Sequence, residues 1–349
     1  GEKTKGSSIE NRNINFSVIQ KFHEVKEMKK NLFILFLAFL LSLVAAACGT
    51  NNNATSGTET ASAEAKTTGN TDTMTIEHQL GKTDITKSPE NVIVFDFGIL
   101  DSLDKLGVNV LGVPQANIPP YLSKYEDAKY ENVGSLKEPD FEKIHSLDPE
   151  LIIISGRQAE AYEELSKIAP TIFMGVDTNN YLPSYKENMT LLGEIFSKES
   201  EVKDELAQVE ESIKALKSKA NDSGKNALII LANEGNISAY GPGSRFGIIH
   251  DEFGLTPVDN GIEVSTHGQN VSFEYILEKN PDYLFVIDRG AAVEGESSAK
   301  ALLDNDIIKQ INASKEGNIV YLDPNYWYLS GGGLISVSEM VKEIESSLE

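Results

Sequence analysis

The chain is 349 residues long, with 31 basic and 53 acidic side chains and a single cysteine. A formal charge of −22 excludes a nucleic-acid binder, because phosphate backbones are held by basic surfaces. One cysteine excludes a disulfide framework and any multi-cysteine zinc or iron–sulfur site. With 40% apolar and 24% charged residues, the composition is that of an ordinary soluble core, built as one large or two medium domains.

Residues 1–27 precede a plausible initiator, Met28, and are expected to be an upstream extension or a remnant outside the fold. Met28-Lys29-Lys30 then leads into the apolar run Leu32 to Val44 and the small residues Ala45-Ala46-Ala47, directly before Cys48. A basic start, about 13 apolar residues and a small-residue site predict a signal peptide over 28–47, too short for a span of ~20 residues. Cys48 in that position resembles a bacterial lipobox, which implies cleavage before Cys48 and lipid on its sulfur. Ala45, where leucine is usual, is a mild departure. Residues 48–73 are rich in Asn, Thr, Ser, Gly and Ala, and predict a flexible tether.

From Val92 onward, short apolar runs alternate with amphipathic segments. Val92–Phe95, Val110–Val113, Leu151–Ile154 and Thr171–Met174 are predicted strands; Ile99–Leu106, Phe141–Leu147 and Ala159–Ile168 are predicted helices. This is α/β alternation with largely parallel sheets. A repeat underlies it. Phe141-Glu142, Ile144, Pro149 and Arg157 recur as Phe273-Glu274, Ile276, Pro281 and Arg289, always 132 positions on. Between the copies, Val202, Leu206, Val209, Ile213 and Leu216 keep helical spacing over 198–219, with Asn221-Asp222-Ser223-Gly224 ending the run. Roughly 22 residues at ~1.5 Å make ~33 Å of helix, enough to join a lobe over 74–197 to a second over 220–349.

A lipobox, a tether, two α/β lobes and a long linking helix resemble the substrate-binding lipoproteins of iron–siderophore ABC importers. Val133-Gly134-Ser135, Ser155-Gly156-Arg157, Gly241-Pro242-Gly243-Ser244-Arg245, His267-Gly268-Gln269, Asp288-Arg289-Gly290 and Asp323-Pro324-Asn325-Tyr326-Trp327-Tyr328 carry the likeness, which points to the ferric catecholate and petrobactin branch of Gram-positive bacteria. The resemblance implies the class III periplasmic-binding-protein fold, with two Rossmann-like lobes. It also implies a ligand cleft lined by Arg157, Arg245 and Arg289, with His267 and Tyr328 able to bind iron directly. Glu142 and Glu274 are implied to face arginines of an ABC permease served by its ATPase. The ferric siderophore is cargo, no intrinsic cofactor is implied, and a monomer is expected.

The residues themselves support a cleft of this kind. Only four arginines occur, Arg12, Arg157, Arg245 and Arg289, so 27 of the 31 basic residues are lysine. Without residues 1–47 the charge is 24 − 49 = −25. A ferric ion with three doubly deprotonated catechols carries 3 − 6 = −3, so its pocket must be locally positive. Guanidiniums supply forked hydrogen bonds and stack on aromatic rings. The bland alternative for each is a surface ion pair. His267 lies in a polar, glycine-bearing loop; His78, His145 and His250 sit in apolar or capping contexts. The rings of Tyr326-Trp327-Tyr328 could equally pack a core, and the triple glycine 331–333 permits close backbone approach. A cell-wall hydrolase is the rival from another class, but Gly243-Ser244-Arg245-Phe246-Gly247 lacks the spacing of a nucleophile elbow. Haem, cobalamin and hydroxamate siderophores are rival ligands; three arginines favour a trianionic aryl ligand over a neutral hydroxamate complex.

Overall fold

The computed structural model describes residues 72–349, so the signal peptide, Cys48 and nearly all of the tether fall outside the described residues. An antiparallel hairpin, β1 (Thr73–His78) and β2 (Gly81–Thr86), opens the described chain. The first lobe is a five-stranded sheet of β3 (Val92–Val94), β4 (Gly112–Val113), β5 (Glu131–Asn132), β6 (Leu151–Ile154) and β7 (Thr171–Phe173) in the order β5-β4-β3-β6-β7, every pair parallel. Side chains of β6 alternate between two cores: Leu151 and Ile153 point into one, Ile152 and Ile154 into the other. Such two-faced burial is why the strand reads as an unbroken apolar run.

The second lobe departs from the expected parallel pattern. β8 (Asn226–Asn233) turns at Glu234-Gly235, both left-handed, into the antiparallel β9 (Asn236–Tyr240). A two-residue turn with positive φ at both centres matches strand twist and makes a hairpin. β10 (Thr256–Pro257) pairs parallel with the first residues of β8, and β11 (Gln269–Asn270) pairs with β9. β12 (Tyr283–Asp288) and β13 (Ile319–Tyr321) complete the parallel part, in the order β8-β12-β13.

The repeat has a structural counterpart. The helices Phe141–Leu147 and Phe273–Lys279 are N-capped by Asp140 and Ser272, and both end on a left-handed residue, Asp148 (φ 46°) and Asn280 (φ 47°). Asp and Asn tolerate that conformation, and the proline that follows each stops the helix. β6 and β12 come next, and Arg157 and Arg289 lie just beyond their ends.

Helix Glu199–Ser223 links the lobes and buries Val202, Leu206, Val209, Ile213, Leu216 and Ala220, the predicted stripe extended by one turn. The chain also returns. The C-terminal helix Leu334–Ser347 packs on both this helix and helix Phe97–Lys105 of the first lobe. Leu334 N donates to Ser102 Oγ, and Ile335 N and Ser336 N donate to the Asp101 carboxylate at 3.1 Å. Residues 331–336 are therefore a second bridge between the lobes. The triple glycine permits it: Gly331 and Gly332 have positive φ, and a Cβ on Gly333 would overlap Asp101.

Candidate functional site

A cleft of about 440 Å³ lies between the lobes, lined by Arg157 and Tyr181 from one, by Arg245 and Thr266 from the other, and by Trp327 and Ser330 just before the returning bridge. Residues Asn325–Leu329 form a π-helical turn after Asp323-Pro324. Such a turn closes on i→i+5 bonds, and the last carbonyls of a helix have no partner within it. Tyr328 sits on it, and its carbonyl accepts from Arg157 Nη2 and Arg245 Nη2, each at 2.7 Å. Its phenol oxygen accepts from Arg289 Nε at 2.9 Å, while Arg289 Nη1 reaches Asn233 Oδ1 at 3.2 Å. The three guanidinium carbons stand 5.5, 4.4 and 5.8 Å from the Tyr328 ring centre, Arg245 nearest.

Four of the five residues named from the sequence thus meet at one point, contributed by both lobes and the turn just before the returning bridge. His267 does not join them. It is exposed in the loop after Thr266, a cleft-lining residue, and makes no hydrogen bond among the described residues. The surface ion-pair alternative fails for the arginines, since every ion pair among the described residues uses a lysine. Each guanidinium offers five N–H donors, so contacts to Tyr328 and Asn233 leave most of them for a ligand.

Charge follows this geometry. Burial alone would raise the Tyr328 phenol, but the Arg289 hydrogen bond and the fields of Arg245, Arg289 and Arg157 outweigh it and hold its pKa below the ordinary tyrosine value. Burial, then repulsion from Arg157, lowers Arg245. Asp96 also borders the cleft; burial raises its pKa against the bonds from Ser155 and Ile99 and the field of Arg157. No cluster of His, Cys, Asp and Glu suited to a metal occurs among the described residues. Three guanidiniums make this place locally positive, and the Tyr328 phenol stands among them.

The rear support escaped the sequence reading. Glu343, on the C-terminal helix, accepts from Asp323 N at 2.8 Å and from Trp327 Nε1 at 3.2 Å. Asp101 is fully buried on helix Phe97–Lys105 and also accepts from the Tyr121 hydroxyl at 2.8 Å. An acidic residue amid the buried side chains Phe97, Ile99, Leu100 and Leu103 was a readable signal for Asp101. Glu343 gave none, being one glutamate among several on an amphipathic helix.

Two lobes, a linking helix and a cationic cleft define an extracytoplasmic-type solute-binding fold. The chain belongs to the periplasmic binding protein family, whose family model matches residues 92–326. It is 51% identical over 324 residues to the petrobactin-binding protein YclQ of Bacillus subtilis, covering 92% of this chain and 99% of that one. The crystal structure of YclQ superposes with a TM-score of 0.78 at 55% identity, over 80% of this chain and 99% of that chain. The periplasmic catecholate-siderophore binding protein VctP of Vibrio cholerae gives 0.74 at 36% identity, over 79% of this chain and 100% of that chain. These likenesses establish the class III fold.

Proposed function

We propose that this chain is a receptor that captures ferric catecholate siderophores outside the membrane and hands them to an ABC permease for iron uptake. The observation that carries the reading is the meeting around Tyr328 of Arg157 and Arg245, which line the interlobe cleft, with Arg289. In a chain this acidic, that cleft is a local positive site matched to a complex of charge −3. The relatives support it, one being named for petrobactin and one for catecholates. The chain carries one tryptophan, Trp327, which is 3% exposed and lines the cleft. Titration with ferric catecholates should quench its emission, whereas haem, cobalamin and ferric hydroxamates should not compete. Equal competition by a hydroxamate would overturn the ligand class.

Within this reading, Tyr328 completes the iron sphere when a siderophore supplies only four oxygens, and His267 swings in from its exposed loop as the second donor. Ferric iron takes six ligands, phenolate is a hard donor known on haem iron, and imidazole is an acceptable nitrogen partner. The depressed Tyr328 pKa favours the phenolate. Tyr328→Phe and His267→Ala should weaken a ferric bis-catecholate strongly and a hexadentate complex little. The bis-catecholate charge-transfer band should shift on adding wild-type protein, and its affinity should fall at acid pH as the donors take up protons. Equal losses for both ligand classes, with no spectral shift, would leave these side chains a lining role.

Delivery rests on an anchor and a docking pair. Cys48 carries the lipid anchor, and Glu142 and Glu274, both exposed on the first turns of the repeated helices, dock onto permease arginines. Cys48→Ala should shed the protein into the medium. Reversing both glutamates to lysine should keep it on the membrane, keep ligand binding and abolish iron uptake. Membrane retention of the first variant, or normal uptake by the second, would refute the respective role.

A further inference from the structure

The arginine site depends on the shape of one short turn, Asn325–Leu329. Arg157 and Arg245 come from opposite lobes, carry like charge and share a single acceptor, the Tyr328 carbonyl. Like charges so placed separate unless the acceptor between them is fixed. The start of the turn is closed by Tyr326 N and Trp327 N, which donate to the Asp323 carbonyl at 3.1 and 3.2 Å. A further support lies behind it. Glu343 takes Asp323 N on one carboxylate oxygen and Trp327 Nε1 on the other, holding the chain two residues before the turn and the residue before Tyr328. Asp323 Oδ1 in turn accepts from Asn325 N at 2.9 Å, closing the start of the turn. Glu343 projects from helix Leu334–Ser347, which is anchored to the first lobe through Asp101 and Ser102.

We propose that Glu343 is a positioning residue for the siderophore site, setting the Tyr328 carbonyl and phenol where the three guanidiniums converge. The role rests on the binding reading above and reaches the ligand only through the turn. Glu343 does not touch the cleft, so its loss removes no ligand contact. It releases the acceptor that keeps Arg157 and Arg245 assembled, and affinity falls because the triad must be ordered on binding.

The test uses the full chain, a ferric bis-catecholate as probe, and Trp327 emission as readout. Glu343→Ala should shift the emission of the ligand-free protein and weaken the probe about tenfold, the scale of lost second-layer support in metal sites. Glu343→Gln keeps one of the two acceptor oxygens and the side-chain shape, and should restore part of the affinity. Glu343→Asp, too short to span both donors, should fall between them and serves if the alanine variant does not fold. Affinities are compared at a temperature where every variant is fully folded, so a general loss of stability does not move them. Wild-type affinity in Glu343→Ala or Glu343→Asp, with Arg245→Ala still defective, overturns the positioning role and spares the site. Failure of wild type itself to bind the probe, or an undiminished Arg245→Ala, overturns the site reading instead.

Discussion

Arg245→Ala is expected to weaken ferric catecholate binding by about 1.5–3 kcal/mol, roughly ten- to a hundredfold, the range for a charged hydrogen bond that is desolvated. Arg245 is chosen from the three because its guanidinium lies closest to the Tyr328 ring, at 4.4 Å, and its burial is enough to lower its own pKa. A desolvated guanidinium gives more to an anion than a hydrated one. Its loss also leaves the Tyr328 carbonyl to Arg157 alone, so part of the effect is disorder in the empty cleft. Arg245→Lys should recover only part of the affinity, since an ammonium keeps the charge and loses the planar fork. Trp327 quenching measures both variants. Wild-type binding by Arg157→Ala, Arg245→Ala and Arg289→Ala alike would remove the cleft as the siderophore site.

The legible parts of the molecule were those written in local chemistry. The stripe Val202 to Leu216 announced the linking helix because one face must be apolar every third or fourth residue, and the structure buries that face. The 132-residue repeat was readable because each copy needs the same apolar helix face, proline stop and strand. Arginine scarcity pointed to the triad because lysine already served every surface role. What stayed hidden depends on contacts far apart in sequence. The β8–β9 hairpin turns on Glu234-Gly235, where the glutamate gives no turn signal and adopts a left-handed conformation anyway. The return of residues 331–336 to the first lobe could not be read, since the partner Asp101 lies more than 230 positions earlier. The resemblance supplied His267 as a cleft residue, yet the structure leaves it exposed beside the cleft.

Asp101 should be the most stability-sensitive residue of the described chain. It is fully buried, and the Tyr121 hydroxyl, Ile335 N and Ser336 N all donate to its carboxylate. Asp101→Ala leaves these donors without an acceptor where water has little access. Each such buried group costs about 1–3 kcal/mol, and partial relaxation brings the total to about 3–5 kcal/mol, a large share of a typical folding free energy. The lost contacts tie the C-terminal helix to the first lobe, so unfolding should begin with that helix, visible as earlier exposure of Trp327. The pH dependence has a definite sign. Burial pushes the Asp101 carboxyl up to about 7, against the opposing bonds from Tyr121, Ile335 and Ser336. A folded-state pKa above the unfolded one means that the native state holds the proton more tightly. The stability from this group is therefore complete below about pH 4, the unfolded carboxyl value, and is lost as pH rises through about 7. Asp101→Asn is neutral at every pH and lacks this slope. The thermal midpoint of wild type relative to Asp101→Asn should therefore fall between pH 5 and pH 8. A difference that stays constant, or grows in favour of wild type, would show that the buried carboxyl is already ionised at pH 5. A melting point for Asp101→Ala equal to wild type would show that the return segment is held by Ser102 and packing alone.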